Sequence, residues 1–423
     1  MGTIIKNGTV IFDGTAAKAD ILIRDGIIAA IEAGIKAEEG DEIIDAEGKA
    51  VSYGLTDVHV HLRVPGRPDK ETIASGSAAA AAGGYTCVCA MPNLYPVPDS
   101  PDNIAIEQEL IDRDAIIDVL PYAAITKGRK GEELVDIKAL KDKAVAFSDD
   151  GSGVQTAEMM RLAMEKAAEE DVLIAAHCEV NELLHGGYIH DGAYAKAHGH
   201  KGICSESEWA QVVRDLELSL QTGCRYHICH MSAAESVEAL RAAKAKGAKA
   251  SGETGPHYLL LSDADLQEEG RFKMNPPLRA ASDRDALIKG ILDGTIECIA
   301  TDHAPHTAEE KSKGLEGSAM GIVGLETAFP LLYTNLVEPG TISLEALIKL
   351  MCENPRKIFR IGGAMRVGER ADIAIFDLNS EYCIDSREFK SKGKATPFEG
   401  WKVKGRCIRT IKDGKTVYEY GKA

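Results

Sequence analysis

From residue 53 to about 355 the chain alternates two kinds of stretch. Short apolar runs stand at 56–62 (TDVHVHL), 85–91 (YTCVCAM), 118–125 (DVLPYAAI), 144–150 (AVAFSDD), 172–179 (VLIAAHCE), 225–232 (RYHICHMS), 248–253 (AKASGE) and 297–303 (ECIATDH). Between them lie longer polar–apolar stretches of helical period, such as 155–170, 205–223 and 233–247. Gly223 and Gly247 close two of these as left-handed caps. Strands alternating with helices predict a parallel sheet, and eight units predict a closed (β/α)8 barrel. Residues 1–52 and 360–423 read differently, as short strands joined by Gly and Asp-Gly turns. Neither end has much core of its own. The expected architecture is α/β: a TIM-like barrel over 53–359, inserted into one small β-sandwich domain built from 1–52 and 360–423. The polar stretch 386–400 is left unplaced.

Bulk properties narrow the function. The 423 residues carry 49 basic and 66 acidic side chains, a formal net charge of −17. Such a surface disfavours nucleic acid and anionic membrane as partners, and an anionic substrate needs a local basic pocket. No apolar run approaches the length of a membrane span, and the N-terminus lacks the apolar core of a signal peptide. Met-Gly opens the chain, but Lys6 stands where a myristoylation signal carries Ser or Thr. Ten cysteines without CxxC pairs do not look like a disulfide framework, and most of them read as small core residues in a reducing cytoplasm.

Active-site residues of such a barrel sit at the C-terminal ends of its strands. There the sequence places His59, His61 and Arg63 on strand one, Asn93 on strand two and Asp149 and Asp150 on strand four. His177 follows strand five, His230 strand six, and Asp302, His303 and His306 strand eight. Side chains at alternate strand positions share a face, so His59, His61 and Arg63 point together. One histidine in an apolar strand is ordinarily a core residue. Histidines at the same end of four strands, with acids beside them, are the donor set of catalytic zinc. Neighbouring Asp149 and Asp150 face opposite sides, so only one reaches that centre. The histidines of 184–200 read as a solvated loop.

The motifs DVHVHLR, MPN, FSDDG, HCE, CHMS, NPPLR, TDHAPH and GIVGLETAFPLLYT, in this order, resemble the amidohydrolase superfamily. Within it they resemble class I dihydroorotases, the long barrel-plus-sandwich type. The resemblance implies reversible cyclisation of N-carbamoyl-L-aspartate to L-dihydroorotate, a step of de novo pyrimidine biosynthesis, by attack of metal-activated hydroxide on a cyclic amide. It implies two zinc ions per subunit, one in some family members. His59, His61 and Asp302 would hold the first, His177 and His230 the second, and Asp150 would bridge them. Asp302 would also be the catalytic base and acid. His61, Arg63, Asn93, Asn275, His306 and the backbone of Met320 and Gly321 would contact substrate. His257 reads as structural or as outer support. A homodimer is implied, and a complex with aspartate transcarbamoylase is compatible. Hydantoinases share fold and histidines but bridge their metals with a carboxylated lysine at the end of strand four; Lys143 lies at the wrong end of that strand. GETGPHYL at 252–259 favours these cousins instead. A hydantoinase or allantoinase, and a non-catalytic scaffold, are the alternatives. Val64 stands where the family has Glu, and Tyr53 where it has Pro.

Overall fold

The computed structural model describes residues 2–422. The eight apolar runs close into a parallel barrel. Leu55–Val60 pairs with Tyr85–Ala90, and that strand with Asp118–Pro121. Leu173–Ala176, Arg225–Ile228, Ala250–Thr254 and Cys298–Ile299 form a second parallel set. The fourth run joins the two sets: Phe147 bridges Ala123 on one side and Ile174 on the other, and backbone bonds run from Val145 to Pro121 O, Ser148 to Ala123 O and Phe147 to Leu173 O. A bridge from Val60 to His303 closes the ring. Inside, Val58, Cys89, Met91, Tyr122, Ala175, Cys229 and Phe359 pack as a dry floor beneath the strand ends.

The outer helices start and stop on local signals. Thr156 caps Ala157–Glu169 by accepting from the Met159 amide, and Ser100 caps Pro101–Asp114 with proline in its first turn. Gly223 ends Glu206–Thr222 at φ 70°. Gly247, at φ 91°, follows Ala234–Ala245 and carries the paired Gly247→Lys244 and Ala248→Ala243 bonds of a Schellman turn.

Both termini build one eight-stranded sheet. Its path runs Lys415–Glu419, Arg406–Lys412, Ile373–Asp377, Ala50–Tyr53, Thr3–Phe12, Thr15–Arg24, Ile27–Glu32. Thr3–Phe12 forks: its first half pairs with Glu42–Asp45 and its second with Ala50–Tyr53. A bridge from Ile27 to Arg370 folds the far edge back. Asp13-Gly14, Asp25-Gly26 and Asp413-Gly414 all have both residues at positive φ, the two-residue hairpin turn that suits strand twist. Phe376 of this sheet stacks on Phe329 of the barrel at 3.8 Å. Tyr53 is buried under the Arg356 guanidinium, 4.8 Å from its ring.

The stretch 386–400 crosses to the barrel mouth. The Lys390 and Ser391 amides donate to Glu326, the Ser391 hydroxyl donates to Glu71, and Val323 N–H donates to Ala395 O at 3.0 Å. Eight of the ten cysteines are buried as free thiols. No described helix is long and apolar enough to cross a membrane.

Candidate active site

Of the twelve residues singled out by sequence, all but His59 and His306 line one cavity of about 230 Å³ at the C-terminal mouth. His59 lies directly beneath, fully buried. Arg63, His230 and Asp302 take φ of 63°, 34° and 48°, a left-handed conformation that costs a non-glycine residue about 1–3 kcal/mol. Three such residues at one site mark where the barrel spends stability on side-chain direction.

The histidine tautomers follow from their outer partners. His59 Nδ1 is 2.8 Å from Glu253 Oε1, and a carboxylate only accepts, so Nδ1 carries the proton. His61 Nδ1 is 2.8 Å from Asn93 Oδ1, while the Asn93 amide donates to Asp150 Oδ2 at 3.2 Å. Both rings therefore point a lone pair on Nε2 inward. What meets those lone pairs is more lone pairs. His61 Nε2 is 3.1 Å from Asp302 Oδ1 and 3.6 Å from Asp150 Oδ2; His59 Nε2 is 3.4 Å from Asp150 Oδ1 and 3.6 Å from Asp302 Oδ1. Asp150 Oδ1 is also 3.6 Å from His177 Nδ1 and from His230 Nε2, which are 2.9 Å from each other. Acceptor against acceptor is stable only with a proton or a metal cation between.

These separations bracket about 3.3 Å, the edge of a tetrahedron with ligand bonds of ~2.0–2.1 Å. His59 Nε2, Asp150 Oδ1, His177 Nε2 and His230 Nδ1 are buried without a hydrogen-bond partner. His59, His61 and Asp302 form one group able to hold a metal, and His59, Asp150 and His230 another. The residues fit divalent cations.

Electrostatics agree. Burial pushes the Asp150 carboxyl up, but His59, His177 and His230 outweigh it and hold it well below the usual range. Burial likewise opposes a charged His177, yet Asp150 and Glu179 raise it to about 10. Asp302 is brought down to about 2 by His61, His59 and His230 against its own burial.

Strand alternation separates the acid pair as expected. Asp150 faces the cavity. Asp149 faces outward and accepts from the Ile125 and Thr126 amides at 2.8 and 3.1 Å and from the Thr126 hydroxyl. The Arg129 guanidinium donates to the Asp150 carbonyl from behind. Backbone bonds hold strand four from Val145 to Ser148, and these side-chain bonds fix its end beyond them.

Polar groups ring the rest of the mouth. Arg63 anchors its Nε on Pro305 O at 3.1 Å. Asn275 donates to Glu179 at 2.9 Å and leaves Oδ1 unpartnered. His306 stands one layer out. Lys70 donates to its Nδ1 at 3.0 Å, so its Nε2 is protonated and donates to Met320 O at 2.7 Å, with the Arg63 guanidinium 3.4 Å away. Val64, next to Arg63, is buried in the core. Two residues that sequence reasoning missed support the ligands. Glu253 also accepts from His227 Nε2 at 3.0 Å and from the His230 amide at 3.2 Å. Glu179 links His177 to Asn275. Glu253 ends strand seven, where the strand-end rule already pointed.

Comparison with known proteins places the chain. A family model described as Dihydro-orotase-like matches residues 48–236. The dihydroorotase of Geobacillus sp. (strain WCH70) is 50% identical over 426 residues, spanning 100% of both chains. That of Bacillus caldolyticus is 49% identical over 427 residues, again 100% of both. Among solved structures, L-hydantoinase (dihydropyrimidinase) from Arthrobacter aurescens superposes with a TM-score of 0.89 at 28% identity, over 100% of this chain and 97% of its own. A D-hydantoinase gives 0.87 at 25%, over 99% and 95%. The barrel-plus-sheet architecture is thus shared with hydantoinases, while full-length sequence identity runs to dihydroorotases. This chain belongs to the dihydroorotase family.

Proposed function

We propose that the chain interconverts N-carbamoyl-L-aspartate and L-dihydroorotate at this mouth, as a zinc enzyme with two ions per subunit. The observation that carries the reading is the facing of His61 Nε2 and Asp302 Oδ1 across 3.1 Å in a cavity that also presents Arg63, Asn93 and Asn275. His59, His61 and Asp302 would hold one ion, and His177 and His230 the other, with Asp150 between. Bound there, divalent zinc supplies Lewis acidity, lowering the pKa of water to near 7 and polarising a carbonyl oxygen.

The protein's own groups do the rest. The Arg63 fork takes the substrate carboxylate in two parallel hydrogen bonds. Asn93 and Asn275 offer donor and acceptor to the ring imide. The Met320–Gly321 backbone, held from behind by His306, completes the carboxylate and ring side. Asp302 takes the proton from the attacking water and returns it to the leaving ring nitrogen; the reverse order closes the ring. Cyclisation consumes a proton, so acid favours ring formation and base favours opening. Asp150 at the end of strand four, in place of lysine, supports dihydroorotase over hydantoinase chemistry. We further propose a division into a barrel over 53–359 and a domain from both termini, a homodimer able to associate with aspartate transcarbamoylase, and a reducing, cytoplasmic setting suited to buried free thiols.

The test is a substrate panel on zinc-reconstituted protein: dihydroorotate, carbamoyl aspartate, hydantoin and allantoin, with metal counted on the same sample. Turnover of the first two alone is expected. Turnover of hydantoin or allantoin instead would overturn the strand-four argument.

A further inference from the structure

Lys311 lies behind the cavity wall, outside the mouth itself. Its ammonium donates to Lys273 O at 2.9 Å, Ala319 O at 2.8 Å and Gly321 O at 2.7 Å. An ammonium has three N–H donors and no acceptor, so these three carbonyls use it completely. Burial and the neighbouring charge of Lys273 push Lys311 down to about 7, so this charge is kept at a cost.

The three carbonyls belong to two segments. Lys273 stands two residues before Asn275. Ala319 and Gly321 flank Met320, and Gly321 N–H returns a bond to Lys273 O at 3.0 Å. The carbonyl between them, Met320 O, is taken by His306 Nε2. Three successive carbonyls, 319 to 321, are thus held from behind by side chains of the 306–311 segment. Gly321 sits at φ 133°, and a Cβ there would come within 2.7 Å of Ala304 O. The wall is close-packed on its outer side, and the Lys311 ammonium braces it beside the Gly321–Lys273 backbone bond.

We propose that Lys311 is a positioning residue whose ammonium sets the distance between the Asn275 side and the Met320–Gly321 side of the cavity. It touches no reacting atom. The inference rests on reading this cavity as the substrate site. Without the ammonium the Gly321–Lys273 backbone bond remains, the two sides loosen about it, and ground-state binding suffers before chemistry does.

The experiment compares wild type with Lys311→Met, which keeps the length and removes the donors. The expected result is a KM for dihydroorotate raised about tenfold, the scale of one or two lost charge-assisted hydrogen bonds. We expect kcat to stay within about threefold and metal content to be unchanged. Backbone amide exchange over 319–321 should speed up by a similar factor. Lys311→Gln, whose amide keeps two donors, should fall between. Wild-type KM and wild-type exchange in K311M would overturn the proposal. So would loss of metal together with kcat, or failure of both variants to fold, because Lys311 would then serve the fold and not the wall. If wild type fails to turn over dihydroorotate, the substrate reading falls by itself, and the exchange rates still report on the brace.

Discussion

Replacing Glu253 by glutamine separates support of a metal ligand from support of the fold. Glu253 is buried and takes three donors: His59 Nδ1, His227 Nε2 and the His230 amide. Glu253→Ala would strand all three in the interior. At about 1–3 kcal/mol each, the loss is about 3–9 kcal/mol, comparable with the whole stability of a domain. Glutamine avoids that loss. Its oxygen still accepts from His59. Its NH₂ faces His227, whose Nδ1 is 2.7 Å from the Ser251 hydroxyl. A hydroxyl can donate or accept, so His227 can shift its proton to Nδ1 and receive the new amide. What disappears is the negative charge behind His59, which raises the basicity of Nε2. Outer partners of this kind are worth 10–100-fold in metal affinity, about 1.4–2.7 kcal/mol. The assay is competition for zinc against a chromophoric chelator, with kcat measured at saturating metal and thermal unfolding of the metal-free protein. Affinity should fall 10–100-fold, kcat should recover at saturation, and the unfolding temperature should shift by only a few degrees. Zinc affinity within twofold of wild type would refute the role of Glu253. An unfolded metal-free variant would refute the tautomer argument.

Asp302→Ala should abolish turnover, since proton transfer alone contributes about 10²–10⁴-fold, while circular dichroism stays native; near-normal activity would defeat the mechanism. Arg63→Lys keeps the charge but loses the fork, and KM should rise about 10–100-fold with a smaller change in kcat, read in steady-state kinetics. Protons and metal compete for one donor set: with His177 raised to about 10, the metal-free site holds protons at pH 7 that binding must expel. Calorimetry in buffers of different ionisation heat should show at least one proton released per ion at pH 7, and affinity should rise with pH.

Most of the barrel was legible because its strands carry their own signal: eight apolar runs fall where the eight barrel positions lie. Alternation alone put Asp149 and Asp150 on opposite faces, as Asp149 bonding to Thr126 bears out. The residues that sequence reading missed act at long range. Glu253 is 194 positions from the histidine it supports, and it was hidden inside a motif read for its family likeness. The unplaced 386–400 stretch finds its partners in Glu71 and Glu326, 320 and 65 positions away from Ser391. Polar residues with distant partners leave no periodicity. His306 was foreseen at the mouth and lies a layer behind it, because Lys70, from the loop after strand one, turns its ring toward Met320.

The end of the fourth run, just past its backbone bonds, has an evolutionary reading. Backbone bonds tie the fourth run to both neighbours from Val145 to Ser148. Its last two residues lie beyond those bonds: Asp149 takes the Ile125 and Thr126 amides and the Thr126 hydroxyl, and the Asp150 carbonyl takes the Arg129 guanidinium. Its terminal residue can be exchanged while the ring of strands stays closed. A scaffold shared with hydantoinases at a TM-score of 0.89 thus leaves that terminal side chain outside the strand ladder, where a change alters the cavity with little penalty to folding.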